Sequence, residues 1–174
     1  KDVISYSKEE ALRLGHDYIG TEHLMLGIIR DGGGKAISIL NAMEVDLENL
    51  KRKVEILNPA VLDTSRLEHT KKNLHLSRQA ERALKNTFLE AKLFQSDLIN
   101  TVHLLLCILR NENDPTTKLL GKMDVNYDLV KEQFKIMLTN DSDYIDLATS
   151  SFEEKEDDAG DAKENPFVPT SESA

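Results

Sequence analysis

The chain has 174 residues, 40% apolar and 5% aromatic with no tryptophan, enough for one helical domain that buries roughly 70% of its unfolded surface around an aliphatic core. Its net charge of −9 sits entirely in residues 141–174, which hold eleven acids and two lysines, so residues 1–140 balance twenty bases against twenty acids. That neutrality gives no support to the concentrated basic face that nucleic acids require, the single Cys107 excludes an internal disulfide, and no apolar run reaches the ~18 residues of a membrane span.

An internal repeat organises the rest. A shift of 80 positions aligns residues 9–58 with 89–138 without a gap, and 15 of the 50 pairs are identical. Ile19 to Arg30 lies over Ile99 to Arg110, and Leu40, Met43 and Val45 lie over Leu120, Met123 and Val125. Shared helical composition does not hold register over such a length, so the pattern is a duplication. The expected fold is all-α: a tandem duplication of a four-helix unit, about eight helices with pseudo-two-fold symmetry, and an acidic disordered tail.

In chain order, the first helix runs to Gly15, whose freedom to adopt a left-handed conformation suits a helix end. The shift places the partner of Ser77 before Lys1, so the chain is expected to begin inside this helix. Thr21 is expected to cap the second helix, which is apolar nearly all round and therefore central. A third, short helix follows Gly34, and Asp46 caps a fourth that ends near Leu57. Residues 59–76 are polar and expected to be an irregular connector. Repeat two starts after Ser77, a good cap, and continues with Thr101 as the cap of its central helix. Its third helix follows Asp114-Pro115, with proline in the first turn, and Asn126 caps the last. The expected organisation is thus a double-repeat domain over 1–140, with repeat one 1–58, connector 59–76 and repeat two 77–139. Residues 141–174 lack a core-forming pattern and are expected to be a flexible linker.

Motifs for catalysis are missing. Gly32-Gly33-Gly34-Lys35 resembles a phosphate loop, but Ile29 stands where its first glycine belongs and Ala36 replaces the magnesium-binding hydroxyl residue. It reads as a turn between helices. The five histidines never pair at ligand spacing with cysteine or carboxylates, and His23 and His103 read as structural histidines. Glu9 and Glu10 read as a solvated helix face. No Ser/His/Asp or Cys/His set is evident, so the chain is not expected to be an enzyme. With no charged-then-apolar leader and one cysteine in an apolar run, the expected location is the cytoplasm.

The stretch Lys8 to Arg30, with Gly20-Thr21-Glu22-His23 before an apolar helix and a weaker copy at Ile99 to Arg110, resembles the N-terminal domain of Clp-family AAA+ unfoldases, of the ClpC type. The resemblance covers residues 1–140, with the tail placed like a linker to the first ATPase ring. It implies a receiver of adaptor proteins and substrate polypeptides on a hexameric unfoldase that serves a Clp peptidase. It implies an isolated domain that is monomeric, with no nucleic acid or membrane as partner. No cofactor belongs to this segment, since ATP and magnesium would sit in the absent ATPase modules. In some ClpC-like proteins each repeat holds phosphoarginine, the glutamate of Thr-Glu-His facing the guanidinium; that role maps onto Glu22, beside Thr21 and, in repeat two, Thr101. Val102 and Asn100 replace Glu22 and Gly20 there, which puts a second site in question. The competing readings are a helical domain that regulates ring assembly, or an unrelated helical interaction or DNA-binding module.

Overall fold

The computed structural model describes residues 3–61, 74–93 and 100–139. Most of the connector and the whole acidic tail lie outside these residues. The described residues form eight helices: α1 (Val3–Arg13), α2 (Thr21–Asp31), α3 (Lys35–Ala42), α4 (Leu47–Glu55), α5 (Arg78–Leu93), α6 (Thr101–Leu109), α7 (Pro115–Lys122) and α8 (Tyr127–Thr139). A compact unit ends at Gln133, within α8.

Helix ends follow local chemistry. Ser77, Asp46, Asp114 and Asn126 accept the N–H groups of Ala80, Asn49, Thr116 and Leu129 through their side chains, satisfying donors that a helix start leaves orphaned. Pro115 occupies the first turn of α7, where its missing N–H is no loss. Gly15 adopts φ 77° after α1, and the bonds His16 N–H to Ala11 and Gly15 N–H to Leu12 make a Schellman end. Gly32, at φ 70°, ends α2 in the same left-handed conformation, so the triple glycine is an interhelix turn.

The duplication reappears in the backbone. Glu44 and Asp124, 80 positions apart, are the non-glycine residues with positive φ among the described residues, at 61° and 62°. Each closes the third helix of its repeat with equivalent bonds, Val45 N–H to Leu40 and Val125 N–H to Leu120. The central helices are buried as their composition predicts: Leu24, Met25, Leu26 and Ile28 in α2, and Leu104, Leu105, Leu106 and Ile108 in α6. Gly27 brings α1 against α2, since a Cβ there would lie 2.6 Å from the Val3 carbonyl and 2.5 Å from Ser7 Oγ.

Three expectations are corrected. The connector is not wholly irregular, because β2 (His75–Leu76) pairs in parallel with β1 (Tyr18–Ile19), a two-residue ladder in an otherwise helical unit. Glu10 is no solvated residue: it is buried, and Arg13 Nη2 and Arg30 Nη1 approach its carboxylate at 2.6 and 3.3 Å. Burial opposes its ionisation, but the Arg13 bond and both guanidiniums outweigh it and hold the carboxyl below its usual range. Thr21 and Thr101 are also not the caps of α2 and α6. Gly20 and Asn100 hold those positions, and each threonine is the first helical residue. Their hydroxyls are used elsewhere, as described below.

Candidate functional site

The segment from Gly15 to Glu22 is tied down on every side. The Schellman end at Gly15 turns the chain out of α1 and swings His16 inward. The chain leaving α4 then returns across it, with Val61 N–H bonded to the Gly15 carbonyl at 2.8 Å, and Ser77 N–H reaches the Ile19 carbonyl at 2.8 Å. Within this frame Tyr18 stacks on His16 and meets His23 edge-on, with ring centroids 5.3 and 5.2 Å apart.

Glu22 is 6% exposed. Its Oε2 accepts hydrogen bonds from Tyr18 Oη at 2.6 Å and Asn58 Nδ2 at 2.8 Å. Burial, then the bond to Glu22, push the Tyr18 phenol far above its ordinary range, so it stays a donor. The other oxygen, Oε1, lies 2.3 Å from where a Gly20 Cβ would be. Glycine at 20 is therefore what lets the Glu22 carboxylate and the Tyr18 ring sit where a side chain would otherwise be. It also leaves the first N–H groups of α2 without a side-chain cap, at the positive end of the helix dipole.

His16 and His23 form a buried pair, with Nδ1 of His16 2.7 Å from Nε2 of His23. Gly20 N–H donates to His23 Nδ1 at 2.8 Å, so the neutral ring carries its proton on Nε2 and donates it to His16 Nδ1. His16 in turn donates from Nε2 to the carbonyls of Asn58 and Pro59, at 3.2 and 3.1 Å. All four ring nitrogens are satisfied with both rings neutral. Burial first, and proximity to His16 after it, lower His23 to about 4 against the pull of Glu22.

His16, Glu22 and His23 bring three ligand-type atoms within 4.8 Å of one another, a cluster the histidine spacing in the sequence did not indicate. The tautomers do not suit a cation, because the His23 nitrogen facing it is the protonated one. Freeing that nitrogen would move the proton to Nδ1 and set it against the Gly20 N–H. The pair is a structural relay, in keeping with the reading of His23.

The three residues expected to bind a ligand are not brought together. Glu22 faces Tyr18 and Asn58. Thr21 is buried and donates from Oγ1 to Thr116 Oγ1 at 2.9 Å, while Thr101 Oγ1 accepts Ala36 N–H at 3.0 Å. The 80-residue shift carries the pair 21–116 onto the pair 101–36. Each central helix therefore starts against the third helix of the other repeat, which is the mark of a two-fold exchange. In repeat two the Asn100 side chain accepts Val102 N–H at 2.8 Å, so the donor matching Glu22 N–H is already taken, and Val102 is buried.

Among the described residues no helix is long and apolar enough to cross a membrane. Comparison with known families matches residues 1–123, and again 75–143, to the Clp repeat (R) N-terminal domain. The chain is 30% identical over 131 residues to the negative regulator of genetic competence ClpC/MecB of Bacillus subtilis, covering 75% of this chain and 15% of that protein. It is 27% identical over 141 residues to the chaperone protein ClpB of Oceanobacillus iheyensis, covering 80% and 17%. The chain thus spans about a sixth of the length of these relatives, and the matched family is the N-terminal domain, not an ATPase module. Its fold is similar to the Hsp104 N-terminal domain of Candida albicans, with TM-score 0.60 and 14% identity over 76% of this chain and 83% of that one. The N-terminal domain of the chaperone ClpD of Arabidopsis thaliana gives TM-score 0.56 and 21% identity over 79% and 90%.

Proposed function

Because the chain belongs to the Clp repeat N-terminal domain family, we propose that it is the module with which a cytoplasmic Clp-type ATPase receives adaptor proteins and substrate polypeptides, ahead of a ring that unfolds them for a peptidase. The observation that carries this reading is the match of both repeats to the Clp repeat N-terminal domain, together with relatives of which the aligned residues make up 15–17%. A neutral fold over residues 1–140 suits protein partners better than nucleic acid. ATP and magnesium belong to modules outside this chain.

The finer reading is that repeat one holds phosphoarginine at the start of α2. Such a side chain needs an acceptor for its guanidinium and donors for its phosphate. Glu22 Oε1 is the acceptor, and the uncapped N–H groups of Thr21 and Glu22 are the donors, a natural anion site. Gly20 supports this by holding the cap position without a side chain to take those donors. In repeat two both features are exchanged together, Asn100 capping the donor while Val102 offers no acceptor. Calorimetric titration of a phosphoarginine peptide tests this: one site is expected, weakened at least about tenfold in Glu22→Gln, since loss of one charge-assisted bond exceeds a decade in affinity. Two equal sites, or affinity unchanged in the variant, would overturn it.

A further inference from the structure

On the far side of Thr21 an open cleft of about 370 Å³ lies between α5, the end of α6 and the turn into α7. Asp114 lines it and is 4% exposed. Its Oδ1 caps α7 by accepting Thr116 N–H at 3.2 Å, but its Oδ2 has no hydrogen-bond partner, the one such buried side-chain atom among the described residues. The nearby Thr21 hydroxyl favours the charged carboxylate, yet its single proton goes to Thr116. Burial is the larger influence and raises the carboxyl above its usual range, as an incompletely satisfied acid should be.

The fold does not require this second oxygen. A cap needs one acceptor, and the matching position in repeat one is Gly34, which starts α3 with no side chain. A buried acceptor left unpaired costs free energy, so its presence in a cleft calls for a donor from outside. We propose that the cleft receives a basic side chain of a polypeptide, whose N–H groups bond Asp114 Oδ2.

The charges around the cleft are mixed. Glu112 lines it and adds a second negative charge. Arg110 lines it too, and donates from Nη2 to the Tyr127 hydroxyl at 3.2 Å, 5.5 Å from the ring centroid. The exposed Arg82 lies at the rim. It opposes a run of basic residues and favours a segment in which an acid follows the inserted base. The side-chain amides of Asn86 and Asn113 complete a polar lining. The choice of a polypeptide rather than a free amino acid rests on the reading of the domain as a receiver of polypeptides, but the site is separate from Glu22.

The test is an amide NMR titration of the full chain with a capped Ala-Arg-Asp-Ala peptide and with its analogue carrying neutral citrulline for arginine. Signals of residues 107–114 should move and saturate with the arginine peptide, and at least about tenfold more citrulline peptide should be needed. Asp114→Asn keeps the cap and the fold, as a dispersed spectrum would verify, and should lose the arginine response at these positions. Silence at 107–114 up to several millimolar peptide, equal response to citrulline, or an unchanged response in Asp114→Asn each overturns the proposal. Movement confined to Tyr18–His23 would also overturn the cleft while leaving the polypeptide-receiver reading standing.

Discussion

Acidification should destabilise this unit through His23 in particular. Its ring is fully buried, and burial lowers it to about 4 from the ordinary 6.5. Below pH 6.5 the unfolded chain takes up a proton that the folded chain refuses, so the unfolded state binds more protons and stability falls with pH. The contribution is complete above pH 6.5, and is lost progressively until the folded ring itself titrates near 4. At pH 5 the loss from this one group is about 2 kcal/mol, a sizeable fraction of a domain's total. The structural reason is that a second ring proton on Nδ1 faces the Gly20 N–H, donor against donor. His23→Gln supplies the control, because glutamine at the third helical position reaches back to the same N–H without titrating. The raised carboxyl of Asp114 acts in the opposite direction, gaining stability as pH falls, but it is common to both proteins and cancels in the comparison. Urea denaturation followed by far-ultraviolet circular dichroism at pH 7.5 and 5.0 measures the difference. Wild type should lose about 2 kcal/mol more than His23→Gln across that interval. Equal losses would refute the claim that His23 is held neutral by burial.

Two further outcomes follow from packing. Leu26 and Leu106 line the cores of the central helices, so Leu26→Ala and Leu106→Ala should each cost roughly 2–5 kcal/mol in urea unfolding; a loss below about 1 kcal/mol would show that these helices are not central. Gly27→Val should cost about 1–3 kcal/mol or more by forcing α1 off α2, because a Cβ there would clash with the rigid Val3 carbonyl, and a thermal midpoint equal to wild type would show that the contact yields.

How much was legible in the sequence depends on how local the physics is. Ser77, Asp46 and Asn126 were readable as caps because a cap is a bond from one side chain to an N–H two or three residues on. The αL turn at Gly15 was readable for the same reason. Thr21 and Thr101 misled because threonine is one acceptable cap among several, while Gly20 and Asn100, one equal and one better by chemistry, take the position. Tertiary structure claims both hydroxyls, at Thr116 and at the N–H of Ala36, and nothing near either threonine in sequence announces that. Glu10 reads as surface until Arg30, twenty residues later, is brought beside it. The His16–His23 pair spans a loop rather than a helical turn, so no ligand spacing reveals it, and β2 is visible only through its partner.

The same comparison separates what the duplication kept from what it let diverge. The skeleton is shared: Glu44 and Asp124 hold the same left-handed backbone, and the contacts 21–116 and 101–36 exchange under the 80-residue shift. Among the differences, those at two helix starts change which polar groups face the first N–H groups. Glu22 with Gly20 in repeat one stands against Val102 with Asn100 in repeat two, and Gly34 in repeat one stands against Asp114 in repeat two. Each repeat therefore keeps one buried acid beside a helix N-terminus, at non-equivalent places. Two copies binding one ligand in one way would keep equivalent acids. Two acids in different surroundings, Glu22 bonded by Tyr18 and Asn58 and Asp114 lining a cleft, are what the proposed receiver of polypeptides would gain from letting its halves drift apart.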